Sequence, residues 1–121
     1  MSEQAQGLRA YASLREANKA RDKEWNSGNE RLSLTFRATE LAGEVGEARN
    51  VVKKLERERL GIVGSRDTFE HLAEELADII ICADLLAMDA GIDLEAAVVA
   101  KFNATSIKVG LTTKMLSTSG H

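Results

Sequence analysis

The carboxylates are the residues of this 121-residue chain whose spacing suggests chemistry. Glu40, Glu44 and Glu47 follow one another at four and three residues, while Glu75 and Asp78 stand three apart with His71 one turn before Glu75. Residues three and four apart share one helix face, so each set forms an acidic stripe. The second stripe enters the run Leu76 to Met88, which is apolar on nearly every side and predicts a largely buried helix with Asp78 inside it. A buried carboxylate is costly unless it is paired or bound to a metal. If the two helices pack antiparallel, four or five carboxylates converge and need cations between them. All-oxygen ligation selects hard ions, Mg²⁺ or Mn²⁺. Carboxylate-held Mg²⁺ commonly serves phosphate-bearing substrates. The plain alternative, surface acids in ordinary i,i+4 pairs, suits Glu40, Glu70 and Glu74 better than Glu75 and Asp78.

Cations follow the acids. No acidic residue comes after Glu95, whereas Lys101, Lys108 and Lys114 do. Lys101 and Lys108 lie two turns apart on one face, with Asn103 nearby, and Lys54 falls two turns after Glu47. Lysines are point-charge donors to phosphate. Lys54, Lys101, Asn103 and Lys108 are therefore candidate substrate contacts, against the alternative of a solvated basic face. Trp25, the lone tryptophan, is expected in the core, with base stacking as its functional alternative. Cys82 is read as a small core residue, since it lacks a cationic partner that would activate a thiol. A di-iron centre needs Glu-x-x-His pairs. His71 and His121 do not follow a glutamate at that spacing, so this centre is disfavoured. There is no Walker A or G-x-G-x-x-G sequence.

These residues need helices to hold them. The chain has no proline and is rich in Ala, Leu, Glu, Lys and Arg. Four helical segments are predicted. The first spans about Leu8 to Trp25 and is broken by Asn26-Ser-Gly-Asn29. The second spans about Ser33 to Leu60, with Leu34, Phe36, Leu41, Val45, Ala48, Val52 and Leu55 on its apolar side. A loop at Gly61 to Arg66 leads to the third, capped by Asp67 or Thr68, with Glu70 placed as in a capping box, and ended at Ala90 by Gly91. Asp93 caps the fourth, which Gly110 closes after about Val109. The expected fold is all-α, an antiparallel four-helix bundle-like single domain over 1–121 with its core at about 25–114. Long helices with few loops also leave apolar seams, which self-association would cover.

Composition bounds the rest. The chain is 44% apolar and 29% charged, too apolar for a disordered segment. It has no uninterrupted apolar run of about 18 residues, the length of a membrane span. Met1 to Gln6 shows no apolar signal region, and one cysteine allows no internal disulfide, so a cytoplasmic location is expected. Sixteen basic against nineteen acidic residues argue against a nucleic-acid polymer as partner.

The stretches Glu40-Leu-Ala-Gly-Glu44-Val-Gly-Glu47 and Glu74-Glu75-Leu-Ala-Asp78-Ile-Ile resemble the E-x-x-E and E-x-x-D signature of the MazG-like all-α nucleoside triphosphate pyrophosphohydrolases. Gly91-Ile-Asp-Leu-Glu-Ala-Ala-Val and Lys101-Phe-Asn103 are similar to that family's last core helix. The likeness runs from about Trp25 to Lys114 and is nearest the compact single-domain members of phages and bacteria. It implies hydrolysis of a (deoxy)nucleoside triphosphate to the monophosphate and pyrophosphate, for control of the nucleotide pool. It implies Mg²⁺ or Mn²⁺ on Glu44, Glu47, Glu75 and Asp78, and a homodimer or a homotetramer built as a dimer of dimers, with sites near the subunit interfaces. Gly43 departs from the pattern, because many members carry a glutamate there.

The residues and the likeness together give the expected mechanism. Metals neutralise the phosphates, Glu44 or Glu47 takes the proton of an attacking water, and Lys54, Lys101 and Lys108 steady the phosphates. The expected substrate is a purine deoxynucleotide, dGTP or dATP. The alternatives are an all-α dUTPase-like enzyme and a non-catalytic helical interaction module that docks through the third helix.

Overall fold

A computed structural model of the chain describes residues 7–27 and 32–117. It is all-helical, with four helices and no strand among the described residues: α1 (Leu14–Trp25), α2 (Leu34–Arg59), α3 (Phe69–Asp89) and α4 (Leu94–Lys108). Short polar side chains start each one. Ser13, Ser33, Thr68 and Asp93 accept from the backbone N–H groups of Glu16, Phe36, His71 and Ala96. Each bond satisfies one of the orphan donors of a first helical turn.

The first helix begins at Leu14 rather than near Leu8, because Ser13 is its cap and also donates its hydroxyl hydrogen to Glu16. Asn26 ends α1, as expected from the Asn26–Asn29 break, the latter half of which lies outside the described residues. Met1 to Gln6 and the histidine at 121 lie outside them too. Thr68 caps α3, and Asp67 braces the cap by accepting from the Thr68 N–H. The position that a capping box opening on Thr68 would give to Glu or Gln is held by His71. At the other end Gly91 takes a left-handed φ of 73°, and the Ile92 N–H reaches back to the Ala87 carbonyl. That is the Schellman closure, for which glycine is the usual residue.

The α2 and α3 helices form the largest interface. They run antiparallel, since Arg37 meets Asp89, Glu44 approaches Glu75 and Asp78, and Lys54 approaches Asp67. The α1 helix crosses the C-terminal half of α3. Its Arg15 makes paired bonds to Asp84 and one to the Ile92 carbonyl, and Asn18 donates to Asp84 at 3.0 Å. Arg37, Asp22 and Asp89 make a second cross-helix network at 2.7 and 2.9 Å. Asn18, Arg37 and Asp84 are all buried. Burial of such groups is tolerable because every charge has a partner.

The α4 helix touches α3 only lightly. After it residues 111–117 form no helix or strand and are tied by Asn103, whose amide donates to the Met115 carbonyl and accepts from its N–H. The buried apolar side chains among the described residues are small: Ala48, Val51, Ala87 and Val99. Val51, not Val52, is the buried valine of α2, and Phe36 and Val45 remain about half exposed. The expectation of a largely buried α3 is not met, because Phe69, Leu76 and Ile80 face outward from the α2–α3–α1 packing. No described helix is long and apolar enough to cross a membrane.

Candidate metal centre

The antiparallel register of α2 and α3 sets the acidic stripes against each other. Glu44, Glu75 and Asp78 each bring a carboxylate oxygen to within 4.8 Å of the others. The sequence placed Asp78 inside a buried segment, but Glu75 is the buried carboxylate, 8% exposed, and Asp78 is exposed. Helix geometry explains the exchange. Glu75 lies on the line of contact with α2, whereas Asp78, three residues on, is rotated toward its edge.

Two oxygens in this cluster lie buried without a hydrogen-bond partner among the described residues: Glu44 Oε2 and Glu75 Oε2. The other Glu75 oxygen, Oε1, is 3.1 Å from His71 Nε2. Burial raises the Glu44 carboxyl, and the charges of Glu47, Asp78 and Glu75 raise it further, to about 7. Like charges in a poorly solvated site hold a proton that a single exposed glutamate would release. A divalent cation in the same place would displace that proton. Three carboxylates and two orphaned oxygens are a hard-donor set that fits Mg²⁺ or Mn²⁺. Glu47 is exposed, and it acts on Glu44 as a neighbouring charge.

Behind the cluster runs a chain the sequence did not reveal. Lys54 Nζ is 3.9 Å from Asp67, Asp67 is 2.8 Å from His71 Nδ1, and His71 Nε2 meets Glu75. The hydrogen bond that the His71 ring donates to Asp67 raises the imidazole, and the nearby charges of Asp67 and Glu75 add to it. The Thr68 N–H holds Asp67 below the usual carboxylate range, helped by His71 and Lys54. The spacing of His71 before Glu75 was legible, but the turn through Asp67 was not, because it depends on how the 60–68 connection folds back on α2.

The other predicted contacts are spread out. Lys54 reaches the site through Asp67, while Lys101 and Lys108 sit exposed on α4. Asn103 spends its side-chain amide on Met115. Glu40 is exposed and lies away from the three-carboxylate cluster, on a cleft of about 230 Å³ that it shares with Trp25, Asn26, Phe36 and Arg37. Trp25 is 76% exposed rather than in the core, with Arg21 stacked 5.4 Å from its ring centre. The α1 helix ends there, so no later element covers the ring within the described residues. Cys82 is half-buried, and burial followed by the charges of Glu44, Glu40 and Asp78 pushes its thiol up, away from nucleophilic use.

No family model, curated protein or solved structure matches the chain.

Proposed function

We propose that the protein is a cytoplasmic, divalent-cation-dependent pyrophosphohydrolase that cleaves a (deoxy)nucleoside triphosphate to its monophosphate and pyrophosphate. The observation that carries the reading is the pair of buried, unpartnered oxygens, Glu44 Oε2 and Glu75 Oε2, on carboxylates that converge with Asp78. Such oxygens are costly to bury unless a cation completes them. Glu44, Glu75 and Asp78, with Glu47 beside them, would hold Mg²⁺ or Mn²⁺. When bound, the ion offsets triphosphate charge and makes a water more acidic.

The residues of the chain do the rest. Glu47, exposed beside Glu44, is the better placed to accept the water proton, since it stays open to solvent. The water oxygen bonds to phosphorus at the α–β linkage, the bridging P–O bond breaks, and pyrophosphate leaves with the electron pair. Lys54, at the Asp67 end of the site, steadies the leaving phosphates, with Lys101 and Lys108 as further cations. Trp25, beside Phe36 and Asn26 in the neighbouring cleft, offers a ring for a base to stack on. A purine deoxynucleotide, dGTP or dATP, is the substrate class proposed, with a dUTPase-like preference as the alternative within the same chemistry.

The deciding experiment is a panel of dNTPs and NTPs with Mg²⁺ or Mn²⁺, scored for pyrophosphate and orthophosphate. Pyrophosphate from one or a few nucleotides, abolished by chelation, supports the reading. The uncovered apolar face of α3 favours a second reading, a non-catalytic helical interaction module. Absence of turnover with every nucleotide would select that module.

A further inference from the structure

His71 lies in the first turn of α3, one turn before Glu75, with a carboxylate against each ring nitrogen. Nδ1 is 2.8 Å from Asp67 Oδ1, and Nε2 is 3.1 Å from Glu75 Oε1. An ionised carboxylate only accepts, so each contact uses a ring N–H. The ring is thereby fixed at both ends. Asp67 is fixed in turn. The same Oδ1 accepts the Thr68 N–H at 2.8 Å, and Lys54 Nζ approaches the other oxygen at 3.9 Å from α2. The backbone here is the cap of α3, where the Thr68 hydroxyl accepts the His71 N–H. A line of restraint thus runs from the start of the helix, through the imidazole, to one oxygen of Glu75.

Glu75 needs that restraint. It is buried, and Glu44 and Asp78 each bring a carboxylate oxygen to within 4.8 Å of one of its own. Like charges so close repel. A glutamate side chain turns about several single bonds, and a free one would swing its carboxylate toward water. The bond to His71 holds Oε1, while Oε2 stays buried without a partner among the described residues. The His71 side chain is itself 44% exposed, so it contributes to the site through its two edges more than through packing.

We propose that His71, anchored by Asp67, is a positioning residue that presets Glu75 for the divalent cation, with Oε1 held by the ring and Oε2 left for the ion. Residues that orient a metal ligand by a hydrogen bond typically contribute about 10- to 100-fold in metal affinity. The bond acts before the ion arrives: a carboxylate already fixed loses less freedom on binding. The proposal rests on the cation centre of Glu44, Glu75 and Asp78 and is independent of the reaction that centre serves.

Mn²⁺ titration followed by electron paramagnetic resonance, which counts free Mn²⁺ with no substrate present, tests it. His71→Ala should bind Mn²⁺ about 10- to 100-fold more weakly than the wild-type chain. It should keep its helical circular dichroism, since alanine is the best helix former. His71→Gln, whose amide can give an N–H to the same glutamate oxygen, should bind more tightly than His71→Ala. Asp67→Ala should also weaken binding, and in the His71→Ala background it should add little, because it acts through the ring. Wild-type Mn²⁺ affinity in His71→Ala overturns the inference, and a lowered melting temperature beside it would make the contact a structural one. Losses that multiply in full in the double variant overturn the part given to Asp67. Should His71→Ala not fold, Asp67→Ala, which removes the anchor of the ring and leaves the Thr68 cap, carries the same expectation and the same refutation. A wild-type chain that binds no Mn²⁺ removes the cation centre and the inference with it. Mn²⁺ binding without turnover of any nucleotide removes only the reaction.

Discussion

Glu44 and Glu75 each bury an oxygen that nothing among the described residues satisfies, and their energetics follow from that. Glu44 is raised from an ordinary 4.5 to about 7 by burial and by three neighbouring carboxylates. A folded-state value above the unfolded one favours the folded state at low pH. Stability from this group is fully present below pH 4.5 and lost as pH rises through 7. The cation-free protein should melt at lower temperature at pH 8 than at pH 5, and Glu44→Gln should flatten that dependence; thermal denaturation across pH checks both. Added Mn²⁺ or Mg²⁺ should reverse the loss at pH 8, by about 2.7 kcal/mol when the free ion is about 100 times its dissociation constant. No metal-induced shift, in a protein that is folded and active without cation, would remove the centre. In the pyrophosphate assay, Glu47→Gln should lower turnover by about 10²- to 10⁴-fold, the range of a lost general base. Full metal-dependent release by Glu47→Gln would sink that assignment. The acidic stripes that define this site were legible as E-x-x-E and E-x-x-D spacings. Which of the acids lost its water was not, since a rotation of only about 60° around α3, the offset of residues three apart, separates buried Glu75 from exposed Asp78.

The helices themselves are set by local chemistry. Thr68 and Asp93 cap where the sequence expects, Ser33 caps the helix that was expected to start about there, and Gly91 and Gly110 terminate where expected. Replacing Gly91 by alanine forces a side chain into a left-handed φ of 73° and should cost about 1–2 kcal/mol, measured by urea denaturation. The crossing of α1 over α3 depends instead on buried charge pairs. Asp84→Ala strands the Arg15 guanidinium and Asn18, and should destabilise by about 3–5 kcal/mol. A loss under 1 kcal/mol would mean that the network is solvated and the crossing rests on apolar contact. Arg37 with Asp22 and Asp89 is the second such lock. Neither network shows as a motif, because its members lie 15, 52 and 69 residues apart.

At the scale of the molecule, this chain has more apolar surface than interior. Among the described residues the buried apolar side chains are Ala48, Val51, Ala87 and Val99, while larger ones such as Phe69, Leu76 and Ile80 stay exposed. The α4 helix and the 111–117 segment show the consequence, resting lightly on the bundle and held by the Asn103 clasp on Met115. Asn103→Ala should release that segment with little effect on α2 and α3. Hydrogen exchange should then show faster exchange at the Met115 amide and unchanged protection across the α2–α3 pair.

Local rules sufficed for what depends on neighbours along the chain. Helix-forming composition, short polar caps, glycine terminators and the three- and four-residue spacing of acids all act within one or two turns, so the all-α fold and both acidic stripes follow from the sequence alone. Tertiary structure decided what depends on which faces meet. Burial is a property of the contact between helices, and a residue's spacing fixes its face but not its opponent. Only the packed structure could exchange Glu75 for Asp78 as the buried acid, bring His71 and Asp67 between Lys54 and the carboxylate cluster, place Trp25 on the surface, and leave the far side of α3 bare.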